Sequence, residues 1–124
     1  MPIEMHYNAE NEMLVCTLVS PVTDVEFREV MDTIVASDKY PPDIRTLWDA
    51  RGFDFRDITR SFEERMVEIR KDYPRRGKAR LAFVVADDLG FGMARMYEIL
   101  SEGLPQRSRV FRSFEDGQEW LINA

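Results

Sequence analysis

The sequence contains a single cysteine, Cys16, and a single histidine, His6, among its 124 residues. One cysteine excludes an internal disulfide, so nothing in the cysteine content indicates an oxidising compartment. One histidine means that a catalytic triad or a histidine-based metal site would rest on that residue alone. Because His6 lies on the polar side of one strand pattern and Cys16 within an apolar one, we interpret them as a surface residue and an unreactive core residue.

The sequence also lacks a long hydrophobic run and an excess of basic charge. No apolar stretch approaches the ~20 residues that a membrane span requires, and no signal peptide is recognised, so we expect a cytoplasmic protein without a membrane span. The net charge of -6 opposes a general affinity for nucleic acid, which begins with a basic surface. The hydrophobic content of 44% opposes disorder, and the length fits a single domain over residues 1–124.

The hydrophobic periodicity predicts an α/β chain with the element order ββαβαβαβα. Ile3, Met5 and Tyr7 alternate with polar residues, and the short polar turn that follows predicts an antiparallel hairpin. The run 23–26 (TDVE) has the spacing of a capping box and predicts the start of the first helix. The predicted elements are strands at 3–7, 13–19, 44–48, 81–86 and 109–112, and helices after Thr23, over 59–73, from Met93 and from Ser113.

This element order predicts a five-stranded, mostly parallel mixed sheet with helices packed on it. Every connection after the hairpin is strand–helix–strand, so the second to fifth strands are expected to be parallel with right-handed crossovers. If the strands lie in chain order, the crossover helices share one face, and a second copy of the chain or an apolar ligand would have to shield the other. A doubly wound order would remove that need. We expect a homo-oligomer, most simply a dimer.

The stretch 81–100 joins a buried strand to a helix, and open α/β folds usually bind ligands at such junctions. Asp87 and Asp88 follow the strand, the run 90–92 (GFG) predicts a tight turn, and Met93 begins an apolar helical stripe. The free N–H groups of a helix N-terminus favour an anion. Arg95, one turn into this helix, is either a charged partner for a ligand or a surface residue in a salt bridge.

Several carboxylates lie where parallel strands end or on the loops beside them. Asp49, Asp87 and Asp88 follow predicted strands, and Asp54 and Asp57 lie on an adjoining loop. Three such groups could hold Mg²⁺ or Ca²⁺. Helix capping and turn formation use the same residue type at the same positions, and we favour that interpretation. We therefore predict no metal and no cofactor.

Basic residues concentrate in one segment, the run 70–80 (RKDYPRRGKAR). It follows the end of a predicted helix, where positive charge is favourable without any partner, so we interpret the segment as structural.

Three runs resemble a known family: residues 47–51 (LWDAR), 90–97 (GFGMARMY), and 109–112 (RVFR) followed by Trp120 and Leu121. Together with the element order, they are similar to the bacterial SpoIIAA-like proteins, which are related in fold to STAS domains and to the lipid-binding CRAL-TRIO domains. The similarity covers roughly residues 3 to 122. It implies a SpoIIAA-like (STAS-like) fold and a binding or regulatory role, and it brings no catalytic residues.

The phosphorylation site of STAS regulators does not carry over to this chain. Those regulators bear a phosphorylatable serine after an aspartate in a D-S-S-G-L-like turn. Asp57 matches the aspartate, but Ile58 stands at the serine position and Arg60 replaces the glycine. We interpret Thr59 as a helix N-cap; Thr59 or Ser61 would be only a weak substitute for the phosphorylated serine.

Two functional hypotheses remain, with a weaker third. The first is a non-enzymatic regulatory or protein-interaction module without the usual phosphorylatable serine. The second is a carrier for a small apolar or lipid-like ligand, and the third is a metal- or phosphate-dependent enzyme using Asp49, Asp57 and Asp87. An apolar groove for the carrier is predicted near Phe53, Phe55, Phe91 and Met93. The predicted ligand-binding residues are Asp49, Phe53, Phe55, Asp57, Asp87, Gly90, Phe91, Gly92, Met93 and Arg95.

Overall fold

A computed structural model describes residues 3–19 and 21–123 as five strands and four helices in the predicted order. The strands are β1 Ile3–Asn8, β2 Met13–Leu18, β3 Thr46–Asp49, β4 Arg80–Val84 and β5 Arg107–Phe111. The helices are α1 Asp24–Ala36, α2 Arg60–Arg70, α3 Asp88–Leu100 and α4 Phe114–Ile122, and a short 3₁₀ turn lies at Pro74–Arg76.

The strands form one sheet in the order β1-β2-β3-β4-β5, with β1 antiparallel to β2 and all other pairs parallel. The predicted α/β class and five-stranded mixed sheet are confirmed. The predicted boundaries shift by a few residues; α2, for example, ends at Arg70 instead of residue 73. There, the N–H groups of Asp72 and Tyr73 bond to carbonyls three residues back, which tightens the chain into a turn before Pro74.

The capping box predicted for α1 is present. The Thr23 hydroxyl accepts from the Glu26 N–H at 3.2 Å, and the Glu26 carboxylate accepts from the Thr23 N–H at 2.9 Å. These bonds satisfy backbone donors that a helix start leaves free. The helix buries an apolar face of Phe27, Val30, Met31 and Ile34.

The two faces of the sheet carry different helices. α1 and α2 pack over Leu14, Cys16 and Trp48, and α3 packs over Val85 and Val110 on the same side. The other face is covered by α4. Its Leu121 packs against the strand side chains that point away from the crossover helices. The strands therefore lie in chain order, and the crossover helices share one face, as the first of the two predicted arrangements requires.

The second face, for which a second copy or a ligand was the simplest expected shield, is covered in part by α4. α4 follows the last strand, so it forms no crossover and can fold back across β3, β4 and β5. Gly117 permits the close approach: a Cβ atom there would lie 3.1 Å from Cγ2 of Val84. The chain itself covers part of this face.

The tight turn predicted at the run 90–92 is also wrong, because α3 begins at Asp88 and contains both glycines. Asp87 is the N-cap, and its carboxylate accepts from the Gly90 N–H at 2.8 Å. That capping bond starts the helix before the glycines are reached. The buried positions of α3 are Gly90 and Ala94, whereas Met93 is only half-buried.

None of the helices in the described part of the chain has the length and apolar character needed to cross a membrane.

Candidate functional site

An apolar cavity of about 120 Å³ lies between the sheet and the three crossover helices. Phe27 and Met31 of α1 and Phe62 and Met66 of α2 line it from above, and strand residues line it from below. An apolar cavity of about 150 Å³ is large enough to bind benzene. The space under α2 is somewhat smaller than this reference and is comparable to the site of one small aromatic molecule.

The two ends of the cavity differ in exposure. At the carboxyl ends of β2 and β3, it is lined by the half-buried residues Leu18, Val22, Phe53, Phe55 and Ile58. The rings of Phe53 and Phe55 meet edge to face, with centroids 5.0 Å apart. This end of the cavity is nearest to solvent.

The opposite end is closed by buried polar residues. Arg70, which is 5% exposed, donates to the Tyr97 hydroxyl and to Oε1 of Gln106, both at 3.2 Å. Gln106 in turn donates to the Gly77 carbonyl at 2.7 Å. These bonds link α2, α3 and the start of β5, and they hold the Arg70 guanidinium on neutral acceptors.

Arg76 is the second buried arginine of this closed end and is 2% exposed. It donates to the Pro42 and Ile44 carbonyls at 2.8 and 3.2 Å and to the Thr46 hydroxyl at 2.9 Å. Burial away from water lowers the pKa of Arg76 to about 10. Its guanidinium therefore ties the segment before β3 to the 3₁₀ turn after α2.

Glu63 lines the cavity from α2 and is 4% exposed. Within residues 3–19 and 21–123, its Oε1 atom has no hydrogen-bond partner. Burial raises the pKa of the Glu63 carboxyl to about 7, because the apolar surroundings disfavour the charged form. The helix that carries it is capped by Thr59, whose hydroxyl accepts from the Phe62 N–H at 3.1 Å.

The strand-end carboxylates stay apart. Asp49 accepts from Nε and Nη2 of Arg51, each at 2.9 Å, and these bonds lower the pKa of the Asp49 carboxyl. Asp87 caps α3, and Asp57 is exposed on the loop before α2. No group of three or more His, Cys, Asp or Glu side chains that could hold a metal ion occurs within the described ranges. Asp49 therefore stabilises the turn after β3, and Asp87 caps α3. These are the structural roles that we favoured over metal binding.

The predicted ligand residues on α3 lie outside the cavity. Phe91 packs under the Arg112 guanidinium at 4.6 Å, and Arg95 pairs with Glu98 at 2.7 Å, which is the surface alternative for Arg95. Met93 is half-buried and Gly92 is exposed. Of the ten predicted ligand-binding residues, the structure brings Phe53 and Phe55 to the cavity wall, and Gly90 lies directly behind Phe55.

The remaining reactive side chains take structural positions. His6 is exposed, as interpreted, and Cys16 is 0% exposed. Burial raises the pKa of the Cys16 thiol to about 12, which keeps it in the unreactive protonated form. Thr59 is the N-cap of α2, and the Ser61 hydroxyl accepts from Arg65 at 3.3 Å.

The structure is similar to that of an uncharacterized protein of the DUF3478 family with a SpoIIAA-like fold, from Shewanella loihica. The comparison covers 96% of this chain and 91% of that one, with a TM-score of 0.64 and 17% sequence identity. This chain has a SpoIIAA-like fold. The fold that the sequence resemblance implied is confirmed. No protein-family model matches the sequence, and no curated protein matches it.

The polar residues of the cavity were missed by the sequence interpretation. Glu63 and Arg70 lie seven residues apart on α2, so they share a face with Met66 between them. That spacing was a readable signal, because it places two charges inside the predicted apolar stripe. Within the basic run 70–80, Arg70 and Arg76 are buried hydrogen-bond donors, whereas Lys71, Arg75 and Lys78 are exposed.

Proposed function

We propose that this protein is a non-enzymatic binding protein that holds a small, mainly apolar ligand in the cavity between the sheet and α1–α3. The observation that carries the proposal is the cavity itself, about 120 Å³ in volume and lined largely by aromatic and aliphatic side chains. Ligand sites of proteins are typically concave, apolar and pre-formed, with a few polar groups that set orientation. The Phe53 and Phe55 rings at its more exposed end support entry from the carboxyl ends of the strands.

The arrangement of the polar groups supports binding over chemistry. Arg70 and Arg76 use their donors to link backbone and side-chain acceptors, so they stabilise the closed end of the cavity. A carrier needs a stable enclosed volume and a ligand whose apolar surface leaves water on binding. That burial contributes about 25 cal/mol per Å² of apolar surface.

Binding of a small apolar probe tests the proposal. Toluene is expected to raise the melting temperature of the wild-type protein, because it stabilises the folded state that holds the cavity. The variant Ala94→Met places a longer side chain on the cavity wall and is expected to lose this response. The matched control Ala36→Met changes an exposed residue at the end of α1 and should keep it.

Native mass spectrometry of freshly purified protein supplies the second measurement. A bound mass of small-molecule size that is absent from Ala94→Met would support the carrier role. A wild-type protein that carries no added mass and shows no thermal response to toluene would contradict it. If Ala94→Met does not fold, Val22→Phe blocks the more exposed end instead.

A second candidate function, protein interaction through self-association, is favoured by the outer side of α3. Leu89 and Ile99 are 47% and 51% exposed there, and the half-buried Met93 and Met96 lie between them. Exposed apolar side chains in one stripe are typical of surfaces that bind another protein. Sedimentation should show a dimer that Leu89→Glu or Ile99→Glu dissociates; a wild-type monomer would contradict this candidate.

A further inference from the structure

Glu63 lines the cavity, and one oxygen of its carboxyl group has no hydrogen-bond partner among the described residues. The residue is 4% exposed, and Phe62 and Met66, its neighbours along α2, line the same space. Oε1 accepts no hydrogen bond from any residue in the described ranges. Leaving a buried acceptor unsatisfied destabilises the folded protein, more so when the group is charged, so such groups are rare in proteins without a reason.

The two arginines of the cavity wall do not pair with this carboxyl group. Arg70 and Arg76 also line the cavity, but their donors bond to Tyr97, Gln106 and neutral acceptors near β3. Arg70 lies seven residues further along α2, a rise of about 10 Å from Glu63. No salt bridge joins Glu63 to any basic side chain in residues 3–19 and 21–123.

We propose that the ligand carries an ammonium group, which binds the Glu63 carboxylate while the apolar remainder of the ligand fills the cavity. This inference rests on the proposed binding function. The ligand class is a small primary amine with an apolar body, such as an arylalkylamine. An ammonium group donates up to three hydrogen bonds and brings the opposite charge, so it satisfies Oε1 and neutralises the carboxylate together.

Neither a neutral donor nor an anion fits this environment as well. A hydroxyl group would supply the missing hydrogen bond but would leave the ionised carboxylate without a counter-charge in apolar surroundings. An anionic ligand could pair only with Arg70 or Arg76, whose donors already bond to protein acceptors, and it would leave Oε1 of Glu63 unsatisfied. The cavity volume of about 120 Å³ limits the apolar body to roughly the size of a benzene ring.

Three probes of closely similar size test the inference on the full chain near neutral pH: toluene, benzyl alcohol and benzylamine, with affinities measured by titration calorimetry. Benzylamine is expected to bind roughly tenfold tighter than toluene, since an ion pair with a buried partner adds this order of affinity. Glu63→Gln should remove that advantage and leave toluene binding almost unchanged. The control Glu64→Gln alters the adjacent exposed carboxylate and should behave as the wild type.

The outcomes separate this inference from the proposed function. If toluene binds and benzylamine binds no tighter, or binds Glu63→Gln equally well, the ammonium inference is wrong and the cavity function stands. Tightest binding of benzyl alcohol would also overturn it, in favour of a neutral donor. If none of the probes binds, both fail. Should Glu63→Gln not fold, NMR titration of the wild-type Glu63 carboxyl replaces it, and benzylamine, unlike toluene, must lower the pKa.

Discussion

The two faces of the sheet are covered in opposite ways. Under α4, the residues Met13, Leu47, Ala82, Val84 and Leu121 are all 0% exposed and fill the space between helix and sheet. Under the three crossover helices, aromatic rings and two long arginines enclose a cavity. The difference shows that close packing stabilises one side of this fold. The other side is packed less densely and encloses the cavity.

Helix position explains why the faces differ. α4 is short and carries Gly117 against Val84, so it lies close to the sheet. α2 carries Phe62, Glu63, Met66 and Arg70 toward the sheet, and these large side chains hold the helix away from it. Bulky residues that line a cavity lack van der Waals contacts on the side facing it. Small residues at a close helix–sheet interface keep these contacts.

The largest predicted effect removes packing from the close-packed face. Leu121→Ala is expected to lower the free energy of unfolding by about 3–4 kcal/mol, because a fully buried leucine leaves a void that rigid neighbours cannot fill. Urea denaturation measures it. Ile122→Ala, at the next and exposed position, should cost far less. Equal losses in the two variants would show that α4 does not pack as described.

The next effect concerns the closed end of the cavity. Arg76→Met should lower the free energy of unfolding by about 2–3 kcal/mol, because the Pro42 and Ile44 carbonyls and the Thr46 hydroxyl lose their donor. The neighbouring Arg75 is exposed, so Arg75→Met is the control and should change stability by less than about 0.5 kcal/mol. An unchanged free energy of unfolding in Arg76→Met would mean that these hydrogen bonds contribute little to stability.

A third prediction uses pH to distinguish the two faces, since in residues 3–19 and 21–123 the buried carboxyl without a partner for Oε1, that of Glu63, lies on the cavity face. Burial raises the pKa of Glu63 from 4.5 to about 7, so the folded state keeps a proton that the unfolded state has lost. This contribution to stability is present below pH 4.5 and disappears as the pH rises through about 7. Each pKa unit corresponds to about 1.4 kcal/mol.

The measurement is the difference in unfolding free energy between Glu63→Gln and the wild type across this pH range. As the pH rises, the unfolding free energy of Glu63→Gln should increase relative to that of the wild type, because the variant has no charge to bury. Glu64→Gln should show no such trend. If the unfolding free energy of Glu63→Gln depends on pH as steeply as that of the wild type, the pH dependence belongs to other carboxylates.

The smallest predicted effect separates the two glycines of α3. Gly92 is exposed with open space around it, so Gly92→Ala should stabilise the protein by about 0.5–1 kcal/mol through helix propensity. A Cβ atom at Gly90 would lie 3.2 Å from the Phe55 ring at the cavity wall. Gly90→Ala should therefore lose that gain. Equal melting temperatures for both variants would contradict the contact with Phe55.

Local signals predicted the fold well. The capping box at 23–26 and the alternation in β1 needed only neighbouring residues, and both are present in the structure. The parallel order of β2 to β5 followed from chain connectivity and crossover handedness. The start of α3 was missed because the glycine pair was given more weight than the capping ability of Asp87, which decided the boundary.

The site was less accessible to sequence reasoning. Phe53 and Phe55 were placed beside a groove from their position after β3, whereas Glu63 was not singled out and Arg76 was interpreted only as part of a structural basic run. Charged residues are usually exposed, so the default interpretation puts them in solvent. The burial of Arg76 and Arg70 depends on partners more than twenty residues away along the chain, Thr46 for Arg76 and Gln106 for Arg70.

The sequence by itself determined the element order, the mixed sheet and the exclusion of an internal disulfide, because periodicity, capping and cysteine number act through local or countable properties. Only the tertiary structure decided that α4 covers the second face, that α3 begins at Asp88, and that Glu63 faces a cavity. The physical reason is that a cavity and a buried charge arise from the distances at which whole elements pack. Those distances depend on side-chain volumes brought together from distant parts of the chain.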